Sequence, residues 1–94
     1  MMRLRGDFNG CWDGYLCLSH SDEATDEHGA KVTLAEGMRV LAFEFDSMPG
    51  DPPEYLVVTG ETVRSPEPLC SNGSRWAVKI DSLGVRRVAR LCDA

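Results

Sequence analysis

The sequence predicts an all-β protein, a small antiparallel barrel of five to seven short strands. Apolar and polar residues alternate with a period of two in several segments, which is typical of strands with one buried face. Turns rich in Gly, Pro and Asn separate these segments, and no long segment has helical periodicity. A sheet this small protects its edges best by closing on itself, which is why a barrel is predicted.

The first two strands are predicted to form a hairpin. Residues 2–8 alternate apolar with charged side chains, and Asn9-Gly10 suits the two positive φ values of a type I′ turn. The chain is therefore expected to return through residues 11–18. Pairing around an Asn9-Gly10 turn places Leu16 and Leu18 on the face that carries Arg3 and Arg5. We therefore also expect a bulge at Asp13-Gly14 or a longer loop over residues 9–14.

The middle of the chain contains the predicted centre of the sheet. Residues 21–28 are acidic and allow at most a short helical turn, which lacks an apolar face. A short strand at residues 32–34 precedes residues 38–46, whose two faces are both partly apolar, as in a central strand. After a stiff proline-rich connection, residues 55–63 form the next strand, which is expected to bend or bulge at Gly60.

The last third of the chain is predicted to complete the sheet. A loop at residues 65–74 leads into a one-sided strand that begins at Trp76. A tight Ser82-Leu83-Gly84 turn and a short edge strand at residues 85–88 follow. This order of strand, tight turn and strand resembles an SH3-like barrel in layout over residues 37–88, and a small β-sandwich is the alternative.

Length, composition and charge limit the number of domains, the location and the kind of surface that we expect. We expect one domain, residues 1–94, because a chain of this size has too little surface to bury for two cores. No apolar run reaches the roughly 20 residues that cross a bilayer, so we expect no membrane association and a cytoplasmic location with four free thiols. Net charge is −5, yet residues 62–94 carry six basic and three acidic residues, which predicts a basic face opposite an acidic middle.

Two cysteines and a histidine near the N-terminus raise the question of a metal site. Cys11, Cys17 and His20 lack the close ligand pairs of structural zinc sites, and Cys17 and His20 would face opposite sides of a strand unless the chain bulges. The acidic loop around His28 departs from the calcium-loop pattern. We therefore expect no bound metal and no cofactor, and interpret these cysteines as small buried hydrophobes.

The sequence favours binding over catalysis. It contains no nucleophile elbow, Walker loop or dinucleotide-binding glycine pattern, so we expect no enzyme activity. Aromatic rings near acidic loops suit cation–π binding of an Arg, a Lys or a methylated cation, with core packing as the alternative. The RRVAR run suits an anion or an acidic partner, with a solvated edge strand as the alternative. The candidate partner-binding residues are Trp12, Tyr15, Tyr55, Trp76, Arg86, Arg87 and Arg90.

These observations predict a small protein-interaction module or accessory subunit without catalytic activity, monomeric or weakly homodimeric, whose partner is a protein that the sequence does not identify. The edge at residues 85–91 is the expected docking place. The alternative is nucleic-acid binding by the basic C-terminal face with aromatic stacking. A weaker alternative is a metal-binding protein that uses Cys11, Cys17, His20 and the acidic loop.

Overall fold

The computed structural model describes residues 1–94 and consists mainly of strands. One short helix, α1 (Glu67–Cys70), and one 3₁₀ turn, Leu91–Asp93, complete it. The nine strands are β1 (Met2–Arg5), β2 (Asp7–Trp12), β3 (Tyr15–Ser19), β4 (Glu23–Thr25), β5 (Lys31–Thr33), β6 (Arg39–Asp46), β7 (Glu54–Arg64), β8 (Trp76–Ile80) and β9 (Arg86–Val88).

Seven strands form one curled sheet. Its order is β1-β6-β7-β8-β3-β2, and β9 pairs with the N-terminal part of β7, beyond the end of β8. A second sheet contains β4 and β5 alone. The all-β prediction is confirmed, with one difference in detail: β1 pairs with β6 in parallel, so the large sheet is mixed rather than purely antiparallel.

Gly6 lies where the chain passes from one end of the curled sheet to the other. The segment before it, β1, pairs with β6, whereas the segment after it, β2, pairs with β3 at the other end of the sheet. Gly6 donates its N–H to the carbonyl of Phe43 at 2.9 Å, and a Cβ at this position would lie 2.8 Å from Leu16 Cδ2. The absence of a side chain therefore lets the two ends of the sheet approach each other.

The first hairpin differs from the prediction. Its turn is Asp13-Gly14, with φ values of 45° and 82°, and Trp12 pairs with Tyr15. Asn9-Gly10 lies inside β2 instead. Both dipeptides suit a type I′ turn, but only the later one sends the leucines of β3 into the core, where Leu16 is fully buried.

The structure differs from three further local predictions. Residues 21–28 contain β4 rather than a helical turn, because Glu23–Thr25 finds a partner strand in β5. The only α-helix, α1, lies in the predicted loop at residues 65–74 and starts after Pro66, whose fixed φ suits a helix start. At Gly60, β7 pairs without a register shift on both sides, so the expected bulge is absent.

The core has two parts, which lie on opposite faces of β6. The main cluster fills the inside of the curled sheet, and the prediction that both faces of the central strand are apolar is confirmed. The smaller cluster contains Leu41, Phe43 and Val57, with Tyr55, Val88 and Leu91 packed against it. The main cluster contains Leu4, Leu16, Leu18, Ala24, Leu34, Val40, Ala42, Val58, Trp76 and Val78.

Candidate functional site

The face of the sheet opposite the main core carries the best-defined candidate site. We call it the outer face. Strand pairing aligns its residues, because partners in register point to the same side of a sheet. Its members include Arg3 and Arg5 of β1, Arg39, Leu41, Phe43 and Phe45 of β6, Tyr55, Val57 and Thr59 of β7, and Arg86 and Val88 of β9.

Three aromatic rings form a cluster on the outer face. Tyr55 meets Phe43 and Phe45 edge to face, with ring centroids 6.1 Å and 5.4 Å apart. The Arg5 guanidinium lies 5.6 Å from the centroid of the Phe43 ring. Phe43 is 3% exposed but Phe45 is 53% exposed, so the cluster is covered at one end and open at the other.

The predicted aromatic residues do not form a single cluster. Trp12 stacks on Tyr15 beside the β2–β3 turn, with centroids 6.3 Å apart, while Tyr55 belongs to the outer face. Trp76 is 3% exposed and packs in the main core. Its indole N–H donates to Asp22 Oδ1 at 3.1 Å, and Arg64 lies 4.3 Å from its ring centroid.

The three predicted arginines have different surroundings. Arg87 Nη1 lies 2.7 Å from Asp46 Oδ2 and 3.7 Å from Glu54 Oε2, and these hydrogen bonds and charges raise the pKa of Arg87. Arg90 pairs with Asp93, which raises its pKa in the same way. Arg86 makes no ion pair, and its Nε is buried without a hydrogen-bond partner.

Ion pairs join the acidic middle of the chain to its basic end. Asp22 accepts hydrogen bonds from Trp76 and Arg75, which, with the charge of Arg64, lower the pKa of its carboxyl. Asp81 accepts from Thr59 Oγ1 and Arg39, and the pKa of Asp81 is lowered chiefly by the threonine hydroxyl. Asp22 therefore partly neutralises Arg64 and Arg75 of the last third, whereas the Arg39–Asp81 pair joins a base of the middle to an acid of the last third.

A bulge brings Cys17 and His20 together. The register of β3 against β8 shifts between Cys17 and Ser19, and the Cys17 sulfur lies 3.7 Å from His20 Nε2. Burial raises the pKa of the Cys17 thiol, which keeps it protonated and weakly nucleophilic. No group of three or more His, Cys, Asp or Glu side chains lies close enough together to hold a metal ion.

Comparisons with protein-family models, curated proteins and solved structures gave no match. No helix in the structure has the length and apolar character needed to cross a membrane.

Sequence reasoning missed part of the outer face. Phe45, Arg3 and Arg39 were not among the candidate residues, although the period-2 pattern places Phe45 on the same side of its strand as Leu41. The pattern does not predict the parallel pairing of β1 with β6, which aligns Arg3 with Leu41.

Proposed function

We propose that this chain is a small protein-interaction module or accessory subunit that acts without catalysis and binds its partner on the outer face. The observation that carries the proposal is the aromatic cluster, which is open at Phe45. Interfaces are enriched in aromatic and arginine side chains that fill pockets on the partner, and the outer face presents both kinds of residue. A protein partner would cover the exposed end of the cluster.

The edge strand β9 supports the same location. It pairs with β7 on one side, and no other strand pairs with it. An extended segment of a partner can add to such an edge through main-chain hydrogen bonds, while its side chains contact the neighbouring face. Val88 of β9 packs against the outer-face cluster, so edge and face form one continuous surface.

The charges favour a protein over a nucleic acid as partner. A nucleic-acid site needs several cations free to neutralise phosphates. Here Arg64, Arg75, Arg87 and Arg90 each lie within 4.0 Å of a carboxylate, and the net charge of the chain is −5. The nucleic-acid alternative would require these pairs to open.

The titratable groups favour binding over catalysis. The chain has two histidines, and His28 has a side chain 82% exposed, with no pocket around it. His20 lies beside Cys17, whose raised thiol pKa leaves little of the thiolate that nucleophilic catalysis needs.

Site-specific photo-crosslinking tests the proposal. A photoreactive phenylalanine analogue replaces Phe45 in one variant, Trp12 in a second and the exposed Lys31 of β5 in a control, and each is irradiated in cells of the source organism. We expect a discrete adduct from position 45 and none from position 31, and protease should digest the added mass.

The other outcomes are equally informative. An adduct from position 12 alone would move the binding site to the β2–β3 turn, contrary to the outer-face proposal. A nuclease-sensitive adduct would favour the nucleic-acid alternative. An adduct with the mass of two chains would identify the partner as a second copy of this protein.

A further inference from the structure

A recess opens on the outer face beside β9. Its volume of about 350 Å³ lies within the range of roughly 300 to 1,000 Å³ that is usual for sites that hold small ligand groups. Charged and apolar side chains share its wall. They include Arg3, Arg39, Arg86, Thr59, Leu41 and Leu83.

Arg86 is the group in this recess that lacks a partner. Its Nε is buried and makes no hydrogen bond, and no carboxylate lies within ion-pair distance of its guanidinium. A buried N–H without an acceptor destabilises the folded chain, and such groups in native proteins call for a specific explanation. An acceptor oxygen supplied from outside the chain would satisfy it once the Arg86 side chain turns its Nε toward the recess.

The other two arginines are already compensated. Arg3 Nη1 lies 3.0 Å from Glu27 Oε2, and Arg39 Nη2 lies 2.6 Å from Asp81 Oδ2. These pairs hold the two guanidinium groups in place, and each retains further N–H donors. Met1 and Ala94 also line the recess. Among its charged side chains, the three guanidinium groups and the two paired carboxylates leave one positive charge, which matches a single carboxylate better than a run of phosphates.

The apolar part of the wall indicates what accompanies that carboxylate. Leu83 is 60% exposed in the turn before β9, and Leu41 lies on β6 at the base of the outer face. An aliphatic side chain two residues from an acidic one would cover Leu83 while the acid reaches Arg86. A peptide that extends along the edge of β9 would place alternate side chains on this face.

We infer that the recess binds an acidic side chain of the protein partner, with its carboxylate on Arg86 and a neighbouring aliphatic side chain against Leu83. This inference rests on the proposed function and names the chemistry of the partner segment, which carries an acidic and an aliphatic residue two positions apart so that both face the recess. A guanidinium presents its N–H donors as a planar fork. The two oxygens of a carboxylate can accept from two of these donors in charge-assisted hydrogen bonds.

NMR titration of the isotope-labelled full chain tests this inference. The probe is the acetylated and amidated peptide Leu-Ser-Glu-Ser-Leu, in which Glu and Leu share one face of an extended chain, and the reporter is the Nε–Hε signal of Arg86. We expect the acidic peptide to shift this signal and the amide signals of Leu41 and Thr59. The glutamine analogue, Leu-Ser-Gln-Ser-Leu, should bind at least about tenfold more weakly, because it lacks the charge.

Two arginine variants provide the matched comparison. Arg86→Gln should weaken binding of the acidic peptide by about tenfold or more. Arg87→Gln changes the adjacent residue, which points to the opposite face and pairs with Asp46 and Glu54, and should leave the affinity within about twofold. The amide spectrum of each variant reports whether it remains folded, and the unmodified chain still tests the inference if Arg86→Gln unfolds.

Several results would overturn the inference. Equal binding of the acidic and glutamine peptides would remove the role of the carboxylate, and an equal loss in both arginine variants would remove the role of Arg86. Shifts with inorganic phosphate but not with the peptide would indicate a small-anion site. Tighter, salt-sensitive binding of an oligothymidylate would indicate nucleic acid. A protein adduct at position 45 combined with no peptide binding would refute this inference and leave the proposed function standing.

Discussion

At the scale of single residues, close backbone contacts decide where glycine is required. Gly60 lies in β7 opposite Ile80, and a Cβ there would be 2.0 Å from the carbonyl oxygen of Lys79. That neighbour is backbone in a paired strand and cannot rotate away. The sequence singled out Gly60 but predicted a bend or a bulge there. A glycine within a strand pattern fits either a bulge or a close approach of another backbone segment.

Gly60→Ala should therefore destabilise the chain by about 3 kcal/mol or more, as expected for overpacking against an immobile neighbour. Gly29→Ala is the comparison, since Gly29 has a φ of 84° and open space around its Cβ position. Its cost should be about 1 to 2 kcal/mol, the strain of a left-handed backbone. Urea unfolding of both variants measures the difference, and equal costs would contradict the close contact.

At the scale of elements, the choice between two turn sequences sets the first hairpin. Asn9-Gly10 and Asp13-Gly14 are both suitable turns, and local preference does not separate them. The structure uses Asp13-Gly14 because Leu16 then enters the core, whereas Gly10 lies against Cys17, with a Cβ position 2.8 Å from Cys17 Cβ. The sequence predicted a hairpin correctly, and burial decided its register.

Substitutions at the two turns should have unequal effects. Gly14→Ala places a Cβ on a residue with a φ of 82° and should cost about 1 to 2 kcal/mol. Asn9→Ala should change stability by less than about 0.5 kcal/mol, because the Asn9 side chain is not needed to form a turn. Thermal or urea unfolding of both variants checks the order, and a larger effect at Asn9 would place the turn where the sequence first indicated it.

At the scale of the whole molecule, ion pairs and hydrogen bonds connect segments that are distant in sequence. Asp22, before β4, accepts from Trp76 and Arg75 of the last third, and Arg39 of β6 pairs with Asp81 after β8. The sequence predicted separate acidic and basic regions. The contacts of Asp22 place an acid of the first region against bases of the second and reduce that separation, whereas the Arg39–Asp81 pair leaves it unchanged.

These contacts predict a pH dependence of stability. The pKa of Asp22 is lowered in the folded chain from its ordinary value of 3.8, chiefly by the hydrogen bond from Trp76. The unfolded chain therefore takes up a proton first as the pH falls. The stabilisation by this carboxylate is complete above the unfolded pKa, is lost as the pH falls from there through the lower folded pKa, and is absent below it.

Asp22→Asn tests this dependence. The variant should lose less stability than the unmodified chain when the pH is lowered from neutral to below the ordinary aspartate pKa. Urea unfolding at a series of pH values measures the difference between the two curves. Glu36→Gln is the control, because Glu36 is an exposed residue without an ion pair, and its curve should follow that of the unmodified chain. Parallel curves for all three proteins would contradict the prediction.

By itself, the sequence determined the fold class, the positions of the strands from β5 to β9, and the two-sided apolar character of β6. Those features depend on local alternation and on turn residues, which a single chain displays directly. Only the tertiary structure decided which strands became neighbours. The parallel alignment of β1 with β6 and the return of β9 to β7 place Arg3, Arg39 and Arg86 around one recess, and such pairings arise from the burial of the whole sheet rather than from any local pattern.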